Sequence, residues 1–115
     1  MERVAGEIRE VVGEMVARSA IKDPRVRGAG LITITYVRVT GDLRQARVFF
    51  TVHGGDDESL NKVRIGLQNA AGFMRRQLGT RLRLKVTPEL IFEVDQMLEQ
   101  EAHIEQLLRE VAKKE

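Results

Sequence analysis

Residues 60–79 read Leu60-Asn61-Lys62-Val63-Arg64-Ile65-Gly66-Leu67-Gln68-Asn69-Ala70-Ala71-Gly72-Phe73-Met74-Arg75-Arg76-Gln77-Leu78-Gly79. Leu60, Val63, Leu67, Ala70, Ala71, Met74 and Leu78 recur at steps of mostly three and four, which is one apolar stripe along a helix. Asp56, Asp57 and Glu58 precede the stripe, where the helix dipole favours negative charge, and Gly79 is placed to cap its C-terminus. Gly72 interrupts the pattern from inside. Glycine costs a helix about 1 kcal/mol relative to alanine, so the spacing predicts two helices meeting at a break or kink at Gly72, not one rod.

On the N-terminal side, Ala46, Val48, Phe50 and Val52 alternate with polar or outward positions and read as a strand. The turn Gly41-Asp42-Leu43 joins it to an earlier strand within Leu31 to Thr40. In that earlier strand Ile32 and Ile34 have one phase and Val37 and Val39 the other. A bulge near Thr35-Tyr36 brings all four to the core face, because one extra residue reverses the side-chain phase. Val4, Ile8, Val11, Val12, Met15 and Val16 place a first helix over residues 2–19, and Asp23-Pro24 ends it in a basic loop, Lys22 to Arg27.

On the C-terminal side, Leu82, Leu84 and Val86 alternate with Arg81, Arg83 and Lys85, an extended stretch with one apolar and one basic face. After Pro88, Leu90, Phe92 and Val94 form a third strand, and Ile104, Leu107, Leu108 and Val111 mark a last helix over about residues 97–112. The order α-β-β-α-kink-α-β-α buries every stripe if a three-stranded sheet carries helices on one face. That is an α+β fold, and 115 residues make one domain, 1–115.

Composition excludes several classes. With 43% hydrophobic and 31% charged residues the chain is neither disordered nor membrane-embedded by content, and no apolar run approaches the roughly 20 residues a bilayer requires. Cysteine is absent, which removes disulfides and thiolate chemistry and fits a cytoplasmic protein. The N-terminus does not resemble a signal peptide. His53 and His103 have no second ligand at metal-like spacing, and no phosphate-binding or nucleophile motif is present. The expectation is a binding protein with no catalytic residue, metal or cofactor.

The net charge of +2 conceals segregation. Residues 22–47 sum to +4, residues 75–88 to +5 with no acid, and residues 89–115 to −5. Basic runs of this kind suit a polyanion, since neutralising phosphates releases counterions. Arg75 and Arg76 follow Gly72 directly, and Arg81, Arg83 and Lys85 come soon after, so five cations could line one cleft beside a backbone that glycine lets a ligand approach. Arg25 and Arg27 form an ancillary cationic loop, free to project. Aromatic residues are only 4%. Phe50, Phe73 and Phe92 read as core, leaving Tyr36 and Phe49 as the stacking candidates, with backbone and shape recognition favoured over stacked bases.

In chain order, the segments Arg3-Val4-Ala5 with Ile8, Ile21-Lys22-Asp23-Pro24-Arg25-Val26, Val39-Thr40-Gly41-Asp42-Leu43, Asn69-Ala70-Ala71-Gly72-Phe73-Met74-Arg75, Leu78-Gly79, Arg81-Leu82 and Pro88-Glu89-Leu90 with Phe92 and Asp95 resemble the ribosome-binding factor A family of bacterial small-subunit assembly proteins. The resemblance implies a KH-like fold of the type II order, with the usual GxxG loop replaced by a helical kink at Ala70-Ala71-Gly72. It implies no catalysis. It implies binding to small-subunit rRNA at a late, cold-sensitive maturation step and release from mature subunits. Ala70, Gly72, Arg75 and Arg76 then map to the kink and its downstream helix, and Arg81, Arg83 and Lys85 to the rRNA-facing side. The expected partners are the small ribosomal subunit and its rRNA, with other assembly factors as further candidates, for a monomer that contacts no membrane. The alternative is a protein-interaction domain that docks a partner through its acidic C-terminal helix.

Overall fold

The computed structural model describes residues 2–18, 20–96 and 108–109. Helix α1, Glu2–Ala17, turns Ile8, Val11, Val12 and Met15 inward and lies on the first strand. A one-turn helix α2, Pro24–Arg27, follows; then strands β1, Ile32–Val39, and β2, Gln45–Val52; helices α3, Asp57–Asn69, and α4, Ala71–Leu82; and strand β3, Glu89–Val94. The sheet order is β1-β2-β3, with β1 and β2 antiparallel and β2 and β3 parallel. Parallel neighbours need a crossover, and the α3-α4 pair supplies it. Helix α1 packs on β1 while α3 and α4 pack on β3, so the fold is α+β with helices on one face of a three-stranded mixed sheet.

The strand phases are as expected. Ala46, Val48, Phe50 and Val52 are buried, as are Leu90 and Phe92. The β1-β2 register shifts between Ile34 and Tyr36, which leaves Thr35 as the bulged residue and allows both Ile34 and Val37 to face the core. Asp56 caps α3 by accepting the Ser59 amide hydrogen bond at 2.8 Å. The Ser59 amide and hydroxyl hydrogen bonds, with a lesser contribution from the nearby Lys62 charge, hold the Asp56 carboxyl below its ordinary range.

Five expectations about the fold need correction. The Lys22 to Arg27 segment is not a loop throughout, because Asp23 accepts the Arg25 amide at 2.9 Å and Pro24 opens α2, where its missing N–H costs nothing. The helix break is at Ala70, not Gly72. Ala70 has φ −88° and ψ −1°, and its N–H is shared between the Gly66 and Leu67 carbonyls at 3.2 and 3.1 Å, a local tightening that turns the axis before Met74 N–H resumes the ladder on Ala70 O.

Gly79 does not cap α4. The helix runs on to Leu82 and stops where Arg83 takes the left-handed conformation at φ 50°. Arg81 and Leu82 are therefore helical, and the expected extended stretch with one basic face does not form: Val86 is 43% exposed instead of sharing a buried side with Leu84. Phe73, expected in the core, is 38% exposed, because the turn at Ala70 sets Ala71, Met74 and Leu78 as the inward side of α4. The expected C-terminal helix over 97–112 lies outside the described residues apart from Leu108 and Arg109, which are helical.

Candidate nucleic-acid interface

Two glycines set the geometry around the kink. Gly66 is buried, and a Cβ placed on it would come within 2.9 Å of Val26 Cγ2, 3.1 Å of Arg25 Cβ and 3.2 Å of Asp23 Oδ1. Only glycine lets α2 lie this close to α3. Sequence reasoning missed Gly66, since it falls between stripe positions and its neighbour in space is forty residues earlier in the chain. Gly72 is the opposite case. It is exposed, its φ is not positive, and a Cβ there would meet only Arg76 Nη1 at 3.7 Å, an ordinary contact. Nothing in the packing demands a glycine at position 72.

The docking of α2 makes a groove beside the kink, lined by Ala20, Ile21, Lys22, Asp23, Asn69, Ala70 and Phe73. The basic segment from Lys22 and the kink at Ala70 are thus brought to one place. Arg25 is not free to project: its guanidinium clamps Asp23 through Nε to Oδ1 at 3.0 Å and Nη2 to Oδ2 at 2.8 Å. This side-chain pair, with the Arg25 amide and a lesser bond from Asn69, lowers the Asp23 carboxyl from 3.8 to about 2. Arg27 is exposed and has no ion-pair partner among the described residues.

The five downstream cations do not share one cleft. Arg75 turns toward β3 and donates from Nε to the Thr87 carbonyl at 3.1 Å. Arg81 turns the other way, to α1, where Nη2 meets Glu14 Oε2 at 2.9 Å. Glu14 also holds Arg18 at 3.2 Å, and the Arg81 hydrogen bond leads the causes that keep its carboxyl below the ordinary range. Arg76 folds back along the open side of Gly72, and Arg83 and Lys85 project beyond the end of α4; all three are exposed and lack an ion-pair partner among the described residues. The structure therefore separates braced cations, Arg25, Arg75 and Arg81, from unbraced ones, Lys22, Arg27, Arg76, Arg83 and Lys85.

Among the described residues no group of three or more His, Asp or Glu is arranged to hold a metal ion, and no described helix is long and apolar enough to cross a membrane. The α+β fold, with its three-stranded mixed sheet, agrees with the family comparison. The sequence profile of the family described as ribosome-binding factor A matches residues 1–108. The chain belongs to the ribosome-binding factor A family. The ribosome-binding factor A of Geobacter sulfurreducens is 46% identical over 110 residues, covering 96% of this chain and 89% of that one. The crystal structure of ribosome-binding factor A from Thermus thermophilus superposes with a TM-score of 0.66 at 22% identity, over 81% of this chain and 93% of that one, and shares the fold. Coordinates of the Thermus thermophilus ribosome-binding factor A fitted into an electron-microscopy map of a 30S complex give a TM-score of 0.59 at 22% identity, over 77% and 88% of the two chains.

Proposed function

We propose that this ribosome-binding factor A family member binds the rRNA of the small ribosomal subunit late in its maturation and leaves the mature subunit, working in the cytoplasm as a monomer and without a catalytic step. Family membership and the fitted 30S complex of the Thermus thermophilus protein support the partner. The observation that carries the site is Gly72: a glycine kept on an open, exposed helix surface, where the fold has no use for it, suits close approach of a ligand backbone. Arg76 lies over the same surface and supplies a phosphate contact. Ala70 sets the kink, Arg83, Lys85 and Arg27 extend the cationic rim, and Arg25, Arg75 and Arg81 contribute charge from braced positions.

The test is Gly72→Leu. Because the site has room for a side chain, the variant folds with equal or greater helicity, and its affinity for small-subunit rRNA falls at least tenfold, about 1.4 kcal/mol. Normal binding by a folded Gly72→Leu protein would remove the kink surface from the interface. Co-sedimentation with immature but not mature small subunits checks the stage of action.

A further inference from the structure

The outward side of β1 and β2, where it meets α3, carries a feature that the kink site does not use. Ile32, Ile34 and Tyr36 would share the inward phase in a regular strand, and the bulge at Thr35 reverses it, so that Tyr36 points outward and pairs directly with Phe49 on β2. The two ring centroids are 6.0 Å apart with planes inclined by 38°, and Tyr36 is 56% exposed. Thr35, left unpaired by the bulge, is held by its hydroxyl, which donates to Asp95 Oδ2 at 2.6 Å. This fixes the irregularity that turns Tyr36 out.

The rings open onto a cleft of about 760 Å³, with Arg38, Asn61 and Arg64 among its walls. The cleft holds two acids as well: Glu93 pairs with Arg47, and Asp95 accepts the Thr35 hydroxyl. Among the described residues Arg38 has no ion-pair partner, and Arg64 hydrogen-bonds the neutral Asn61 carbonyl oxygen at 3.1 and 3.3 Å. Two exposed or half-exposed π faces flanked by two guanidinium groups with no ion pair among the described residues match an unstacked base with a phosphate on each side. An acidic peptide would satisfy the cations but leave the ring pair without a flat partner.

We infer that the Tyr36-Phe49 pair, with Arg38 of β1 and Arg64 of α3, is a second nucleic-acid contact that stacks a base of single-stranded RNA in a cleft sharing no lining residue with the groove at the helix kink. The inference rests on the RNA-binding reading above and adds a subsite to it. Tyr36 is the only tyrosine and tryptophan is absent, so the intrinsic fluorescence of the native protein reports this one ring.

The experiment titrates the intact protein with a fluorescein-labelled single-stranded RNA of mixed sequence. Binding is followed by anisotropy, and tyrosine emission is followed with the unlabelled RNA and N-acetyltyrosinamide as the absorption control. Emission is expected to be quenched in step with binding, Tyr36→Leu to bind about tenfold more weakly, and Tyr36→Phe to stay within about twofold of the parent. RNA that binds while tyrosine emission and the Tyr36→Leu affinity stay unchanged overturns the sheet-face site, leaves the kink reading standing and gives this face to a protein partner. Absence of RNA binding by the parent overturns both.

Discussion

Gly66 and Gly72 stand six residues apart in one helix pair and do opposite things. Gly66 is buried where α2 presses on α3, with three neighbouring atoms inside 3.3 Å of the place a Cβ would take, while Gly72 faces open space with one contact at 3.7 Å. The same residue type is a packing requirement in the first case and a vacant surface in the second. A glycine's role is therefore set by what approaches it from elsewhere in the chain, and its own position in the helical pattern says little about that.

The largest effect that tests this contrast belongs to Gly66. Gly66→Leu must push Val26 and the Asp23-Arg25 clamp away from α3, and is expected to destabilise the protein by about 2–3 kcal/mol, read as a lower urea midpoint with an unchanged m-value. A variant as stable as the parent would break the contrast, because α2 would then not depend on the close approach.

Just before the kink, Gln68 donates from Nε2 to the Leu90 carbonyl at 3.0 Å and accepts the Phe92 amide at 3.0 Å, closing part of the outer edge of β3. Gln68→Leu leaves both backbone groups without this partner and should cost about 1–2 kcal/mol in the same assay. No loss would mean that the kinked pair is held to the sheet by apolar packing alone.

On the Gly72 side the expected changes are in binding. Arg76→Ala should flatten the dependence of log K on log salt by about 0.7–0.9, one phosphate contact, with the melting temperature unchanged. Arg81→Ala should flatten it less, because Arg81 already faces Glu14. Equal slopes for the two variants would show that the ion pair opens on binding. Gly72→Ala, with space for its methyl group, should raise stability by about 1 kcal/mol through helix propensity, the reverse in sign of Gly66→Leu.

The smallest effect is acid sensitivity. The Asp23 carboxyl is lowered from 3.8 to about 2 by the Arg25 hydrogen bonds first of all. In that interval the unfolded chain binds the proton more readily than the folded one, so stability rises with pH. The Asp23 contribution is complete above about pH 4 and is lost as pH falls toward about 2. Asp23→Asn should flatten the melting temperature against pH in this window. An unaltered profile would place the acid sensitivity in other carboxylates, such as Asp56 or Glu14.

Much of this is legible in the residues. The apolar periodicities marked α1, the three strands and the helix pair, though not the one-turn α2, because side-chain phase along a helix or strand is a local property that hydrophobic burial enforces. The reversal between Ile34 and Val37 was enough to locate the bulge at Thr35, since two buried residues of opposite phase admit few other solutions. The basic segments and the interrupted stripe pointed to the helix pair as the candidate site, and the ordered family segments to its partner class.

What the residues did not disclose depends on hydrogen bonds and contacts that composition and periodicity do not encode, some local and some between distant parts of the chain. The break falls at Ala70 and not at the glycine because hydrogen-bond sharing between the Gly66 and Leu67 carbonyls, not intrinsic flexibility, turns the axis. Charge counts could not separate Arg76, left open, from Arg81, held by Glu14 sixty-seven residues earlier. Nor could they show that Arg25 is clamped to Asp23. Local pattern determines which elements form and which sides they bury, since those energies are summed over neighbours in sequence. The tertiary structure alone decides that Gly66 is indispensable, that Arg81 is held and that Tyr36 meets Phe49, since each of these is fixed by a partner that the chain's own order keeps far away.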